Sequence, residues 1–179
     1  MRDFNEIWTE RLYLRKLEMR DKYLFFNYRS MPDVYKFQSW KPDNIGEIEG
    51  IIYNNSMLYP NTINTWLQIA ICQHDGTMIG DIGIHFVDYH QIELGYSLSP
   101  FSHGQGYASE AVRALINYAF SVWNKHRITA SVDPENHRSI RLLRGLGFRQ
   151  EAHFKKSLLL NENWCDDCVF AVLREEWNY

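Results

Sequence analysis

The stretch Pro100-Phe101-Ser102-His103-Gly104-Gln105-Gly106-Tyr107-Ala108-Ser109-Glu110-Ala111 decides how this chain is read. Before it, Ile92, Leu94, Tyr96 and Leu98 alternate with Glu93, Gly95 and Ser97, the period of a strand. After it, Ala108, Ala111, Val112, Leu115, Ala119 and Val122 recur at helical spacing. The stretch is therefore a turn from a strand into a long amphipathic helix. Two glycines let backbone N–H groups point inward at an anion, and the helix N-terminus adds about half a positive charge. Such a turn suits a pyrophosphate, but it also describes a Gly-rich connection with no ligand. The dinucleotide pattern G-x-G-x-x-G and the Lys-Ser/Thr pair of a P-loop are both missing.

Working outward, antiparallel hairpins come first. Arg11 to Arg15 alternates like a strand, Glu18 to Tyr28 and Ile45 to Met57 read as helices, and the Pro-containing segment Met31 to Asn44 between them reads as short turns. Leu67, Ile69 and Ile71 belong to a strand that turns at His74-Asp75-Gly76-Thr77 into Ile82, Ile84 and Phe86. After the central turn, Ile128 to Val132 predicts a strand and Ile140 to Leu146 a helix closed by Gly147. A last hairpin spans Phe148 to Lys156 and Trp164 to Arg174, across Asn161-Glu162-Asn163. The expected class is mixed α/β (α+β), one domain over residues 1–179.

Composition excludes several functions. Nineteen Lys+Arg against 22 Asp+Glu give a net charge of −3, the wrong sign for a protein that holds nucleic acid by its phosphates. The N-terminus lacks the apolar run of a signal peptide, and the uncharged stretch Gly50 to His74 is too broken by Asn and Pro to cross a membrane. Cys165 and Cys168 have C-x-x-C spacing, but a zinc site needs two further ligands, so no metal is expected and the chain reads as a reduced, cytoplasmic protein. Aromatic residues make up 15% of the chain, more than a core of this size needs, which directs attention to a ring-lined pocket.

The central turn is followed by Asn136-His137-Arg138-Ser139-Ile140-Arg141-Leu142-Leu143-Arg144-Gly145-Leu146-Gly147-Phe148. Together the two segments resemble the GNAT superfamily of acetyl-CoA-dependent N-acetyltransferases. Thr9-Glu10-Arg11-Leu12-Tyr13-Leu14-Arg15 and Ile92-Glu93-Leu94-Gly95-Tyr96 look like the subgroup that includes the RimJ/RimL-type ribosomal-protein N-terminal acetyltransferases. The resemblance implies a GNAT fold, a mostly antiparallel sheet that splays open, with flanking helices. It implies that the pantetheine arm of acetyl-CoA pairs with the backbone of Tyr96, Ser97 and Leu98. The pyrophosphate would lie on the N–H groups of Gly104, Gln105, Gly106, Tyr107 and Ala108, beside His103 where the family usually has Gln or Arg. Many relatives protonate the leaving thiolate with a Tyr whose place here is taken by Leu143; the resemblance instead assigns the sulfur to Ser139 and a cofactor contact to Asn136, which also reads as a plain helix N-cap. Dimers are common among such proteins.

Acetyl transfer to an amine needs a base for the amine's proton, donors for the developing oxyanion and a partner for the departing sulfur. Glu93 is the first candidate base, since it shares a strand face with the small residues Gly95 and Ser97; it reads equally as a structural Glu at a strand edge. Asp81 and His85 form a weaker second pair. Arg138, at the start of its helix, is a candidate for the 3′-phosphate of CoA, or one residue of a solvated face. Tyr35, Phe37, Trp40 and Tyr89, with the stretch near Trp164, are expected to border the acceptor. That acceptor is a protein N-terminal amine or a small amine of the aminoglycoside or polyamine kind. A catalytically silent acyl-CoA-binding module is the rival from another class.

Overall fold

The computed structural model describes residues 4–160 and 162–178. Its strands join in one eight-stranded sheet of order β1-β2-β3-β4-β5-β6-β8-β7. β1 (Ile7–Trp8), β2 (Leu12–Lys16), β3 (Thr65–Gln73), β4 (Met78–Phe86) and β5 (Gln91–Leu98) form an antiparallel meander. β6 (Arg127–Val132) then pairs parallel to β5, as a strand reached through a crossover helix must. β8 (Asn163–Leu173) pairs antiparallel with β6, and β7 (Arg149–Leu160) lies outermost. The architecture is the mixed α/β, mostly antiparallel arrangement read from the sequence.

The sheet is a middle layer with a core on each face. On one face Leu67, Ile69, Ile71, Ile82, Ile84, Ile92 and Leu94 pack against α4 (Tyr107–Ser121) and α5 (His137–Gly145). On the other, Tyr13, Ala70 and Cys72 meet Phe25 and Tyr28 of α1 (Lys22–Arg29) and Ile48 and Ile52 of α3 (Ile45–Met57). The period-2 alternation of β3 to β5 divides the residues between these two faces.

Three boundaries differ from expectation. The segment from Glu18 opens as a 3₁₀ turn, Met19–Asp21, because the Asp21 carboxylate accepts from the Glu18 amide (2.8 Å) and from Arg15 (2.6 Å); α1 follows only from Lys22. Within the presumed turns, Pro32 starts a short helix, α2 (Pro32–Tyr35), as its fixed φ favours at a first helical position. β7 runs four residues beyond Lys156, past an irregularity in its pairing with β8 between Phe154 and Leu158. Of the hairpin tip Asn161-Glu162-Asn163, Asn161 lies outside the described residues.

Candidate active site

The register between β5 and β6 makes a cleft. The two strands pair only at Gln91↔Arg127, Ile92↔Ile128 and Glu93↔Thr129. Beyond that point β5 runs on to Leu98 and β6 to Val132 without pairing to each other. A sheet that opens in this way leaves strand N–H and C=O groups facing a gap, where a ligand with amide groups can complete the ladder. A hollow of about 400 Å³ occupies the opening, and Glu93, Gly95, Tyr96, Ala130, Asn136 and Ser139 all line it.

At one end of the gap lies the glycine turn. Gly104 (φ 76°) and Gly106 (φ 79°) are in the left-handed region, where a side chain is strained. Gly106 is the N-cap of α4, so the first N–H groups of the helix are left facing outward, as an anion site requires. The turn is braced from β1–β2. Arg11 donates from Nη1 to the Gln105 carbonyl (2.8 Å) and from Nε to Glu110 (2.7 Å), and its guanidinium covers the Tyr107 ring at 4.7 Å. Glu110 also accepts from the Thr9 hydroxyl (2.7 Å) and the Arg11 amide (2.9 Å). Burial alone would raise the Glu110 pKa, but these donors and the Arg11 charge hold it below the usual carboxylate value. The sequence of the turn does not reveal Arg11 and Glu110 as partners, because their contact spans some hundred residues.

His103 and Arg138 meet beside the turn. Arg138 Nη1 donates to His103 Nδ1 (3.0 Å), and His103 Nε2 lies 3.1 Å from the Leu98 carbonyl. Only an imidazole protonated at Nε2 alone satisfies both contacts, since Nδ1 must accept from the guanidinium. Asn136 caps α5 by accepting from the Ser139 amide (3.2 Å) and also lines the hollow. Its capping and its place in the cleft are therefore compatible. Leu143 is fully buried, so that position offers nothing to the cleft, whereas Ser139, one turn earlier, faces it. The Ser139 hydroxyl lies 2.7 Å from the Tyr96 hydroxyl. Burial pushes the Tyr96 phenol up to about 12, against a smaller lowering by Ser139.

The far side of the hollow is built by three strands in register. Trp66, His85 and Glu93 form one cross-strand row, Gln68, Gly83 and Gly95 the next, and Ala70, Asp81 and Ser97 the third. The His85 ring stacks on Trp66 (4.9 Å, 7° between planes), and its Nδ1 lies 3.6 Å from the Glu93 carboxylate. Gly95 leaves an opening beside Glu93: a Cβ added there would meet nothing within 4 Å. Among the described residues the buried Ser97 hydroxyl has no hydrogen-bond partner, an uncompensated polar atom in the unpaired part of β5.

Asp81 is fully buried and already engaged. Arg29 Nε donates to it at 3.0 Å, Arg29 Nη2 pairs with its second oxygen, and Tyr28 and Gln68 donate as well. A carboxylate so paired is a structural anchor, and removal of either ion would cost about 3–5 kcal/mol. Asp81 and His85 thus do not act as a pair: Asp81 is bound to α1 and His85 approaches Glu93. Of the rings expected at the acceptor, Phe37 and Trp40 line the hollow, with Trp66. Tyr35 on α2 does not line it, nor does the exposed Tyr89. Lys125 fixes the Tyr89 turn by donating to the Asp88 (2.9 Å) and Tyr89 (3.1 Å) carbonyls, at the opposite end of β5 from Leu98. Trp66 was legible in principle, since it precedes Leu67 and so shares a face with Gln68.

Comparison with known proteins agrees with this geometry. Residues 11–149 match the model of the acetyltransferase (GNAT) domain. The chain belongs to the GNAT acetyltransferases. The uncharacterized N-acetyltransferase YnaD of Bacillus subtilis (strain 168) is 31% identical to this GNAT enzyme over 173 residues, 96% of this chain and 99% of its own. The [ribosomal protein uS5]-alanine N-acetyltransferase of Escherichia coli (strain K12) is 37% identical over 89 residues, covering 50% of this chain and 46% of that one. The crystal structure of spermidine N-acetyltransferase from Vibrio cholerae, in complex with CoA and spermine, shares the fold with a TM-score of 0.83 at 20% identity, over 94% of this chain and 98% of that one. The protein is thus an acetyl-CoA-dependent N-acetyltransferase. Among the described residues no cluster of His, Cys, Asp or Glu is arranged to hold a metal, and no helix is long and apolar enough to cross a membrane. Cys165 and Cys168 are free thiols three positions apart on β8, hence on opposite sheet faces.

Proposed function

We propose that this acetyltransferase acts on the N-terminal amine of a protein or peptide, in the manner of the RimJ/RimL-type enzymes, by direct attack in a ternary complex. The charge balance of the hollow carries the reading. A polyamine or aminoglycoside brings several cations and calls for several free carboxylates. Of the acids around this hollow, Asp81 is neutralised by Arg29; two carboxylates remain and they are well separated, Glu93 on β5 beside the opening and Asp133 just past the end of β6, where it accepts from the Glu135 amide (2.8 Å). The acceptor side also carries the rings of Phe37, Trp40 and Trp66, Leu158 and Leu160 from the last hairpin, and the polar side chains of Arg29, Gln38, Ser39 and Gln68. One amine next to an apolar side chain fits that lining. The partial similarity to the uS5-alanine enzyme supports the same reading, and the likeness to the spermidine enzyme is one of fold.

In this reading the cofactor half holds acetyl-CoA by backbone. The amides of Gly104 to Ala108 receive the pyrophosphate, the unpaired edge of Tyr96 to Leu98 receives the pantetheine amides, and Asn136 and Arg138 flank the arm. Glu93 takes the proton of the amine as its nitrogen bonds to the acetyl carbon. The sulfur leaves with the electrons of the broken C–S bond beside Ser139 Oγ–H. Free-thiol release from acetyl-CoA tests the assignment against three acceptor sets: peptides with varied first residues, spermidine, and an aminoglycoside. Turnover with peptides alone is expected. A kcat/KM for spermidine or the aminoglycoside above that of every peptide overturns it.

A further inference from the structure

We infer that the Tyr96 side chain is a positioning residue for Ser139: its phenol donates to Ser139 Oγ and so turns the Ser139 proton into the cleft, toward the position of the sulfur. The inference rests on the reading of Ser139 as the sulfur's partner and adds to it a second residue with a defined task. The geometry starts from the 2.7 Å contact between the two hydroxyls, a normal O–H···O distance. The two residues come from opposite sides of the gap, Tyr96 from β5 and Ser139 from the first turn of α5. Either oxygen can donate in such a pair, and the direction decides what Ser139 can do.

If Ser139 donates to Tyr96, its only proton is spent inside the protein. Tyr96 must then donate elsewhere, either to the Ser139 carbonyl 3.4 Å away, beyond the usual range for such a bond, or into the hollow, which Tyr96 also lines. If Tyr96 donates to Ser139, the serine proton is free to face the hollow, which Ser139 lines. A growing negative charge on a sulfur there favours this second arrangement, because a hydrogen bond to an ion is about twice as strong as a neutral one. Burial keeps the phenol protonated well above neutrality, so it has a proton to donate throughout the working range. The same burial makes outright transfer of that proton to a thiolate, whose ordinary pKa is about 8.5, uphill. Tyr96 therefore orients and polarises, and the proton stays on its oxygen. A serine near a helix start otherwise tends to return its hydroxyl to nearby backbone, and the tyrosine counters that tendency.

The test needs no acceptor. CoA is bound to the protein and its thiol is titrated by thiolate absorbance in the ultraviolet, with the Kd for CoA measured alongside. Wild type, Ser139→Ala, Tyr96→Phe and the double variant are compared. A directed hydroxyl proton lowers the pKa of the bound thiol by on the order of one unit relative to Ser139→Ala. Tyr96→Phe is expected to recover a large part of that shift with little change in Kd, and to add nothing in the Ser139→Ala background. An unchanged thiol pKa in Tyr96→Phe, with Ser139→Ala still shifted, overturns the role of Tyr96 and leaves Ser139 in place. An unchanged pKa in Ser139→Ala overturns the reading of Ser139 itself. Equal effects of Tyr96→Phe with and without Ser139, or a loss of CoA affinity without a pKa change, show that the ring acts by packing and overturn the inference.

Discussion

The two halves of the cleft are built on different principles. The half proposed for the cofactor is local and mostly backbone: one strand edge, one turn and one helix start, all within Tyr96 to Ala108 and Asn136 to Ser139. The acceptor half is assembled from side chains of β3, β4, β5, the segment after α2 and the last hairpin. Backbone donors tolerate side-chain change, as His103 in place of the family's Gln or Arg illustrates. An acceptor wall made of side chains can be altered one residue at a time, and a fold shared at 20% identity with a spermidine enzyme is consistent with that freedom. Damage to the first half, Ser139 apart, should appear in the KM for acetyl-CoA, and damage to the second in kcat or in the KM for the amine.

Glu93→Gln should have the largest effect. It keeps the shape of the side chain and removes its capacity to take a proton. A drop in kcat/KM of at least about a hundredfold is expected, at the low end for a lost general base. The KM for acetyl-CoA should hardly move, because Glu93 precedes the part of β5 that borders the cofactor. Steady-state kinetics with the best peptide of the acceptor screen provide the measurement. Unchanged turnover would remove Glu93 as base and turn attention to water in the hollow.

The two halves also differ in how far the sequence revealed them. The glycine turn could be read because its chemistry is contiguous: Gly104 and Gly106 lie close together in one turn and both have positive φ, and Gly147 closes α5 in the same conformation, as expected. The strand alternation placed Glu93, Gly95 and Ser97 on one face, and the register agrees. The acceptor side was harder. Tyr89 is only four positions from Glu93, yet that distance along an extended strand carries it out of the cleft. Trp66 is 27 positions away and stands in its row, because two hairpin registers bring it there. The pairing of Asp81 with Arg29 was hidden for the same reason: a helix and a strand some fifty residues apart must dock before a candidate base becomes an anchor.

The brace on the glycine turn should give the next largest effect. Arg11→Ala removes the donor to the Gln105 carbonyl and one partner of Glu110. We expect the KM for acetyl-CoA to rise about tenfold, the scale of one charge-assisted hydrogen bond, with kcat nearly unchanged. Acid should have the same effect in wild type. The Glu110 pKa is depressed in the folded protein, so the brace is complete above the ordinary carboxylate value of about 4.3 and is lost as pH falls through the lower folded value. Acetyl-CoA affinity measured by calorimetry should therefore be level from neutral pH down to about 5, so far as Glu110 governs it. A kcat effect in Arg11→Ala larger than the KM effect would break the division between the two halves.

Arg138→Ala should have the smallest effect. The side chain is exposed, and its one hydrogen bond among the described residues is to His103. If it meets a phosphate of CoA, the contact is screened by water and salt and its loss should raise the Kd for acetyl-CoA only about threefold at low ionic strength. Added salt then separates two explanations. A direct phosphate contact makes the gap between wild type and variant close as salt rises, since the wild-type advantage is itself electrostatic. An indirect role, in which Arg138 only holds the His103 ring against the Leu98 carbonyl, leaves the gap independent of salt, and His103→Gln then reproduces it. Equal affinities at every salt concentration would exclude both and return Arg138 to the solvated face it shares with Arg141 and Arg144.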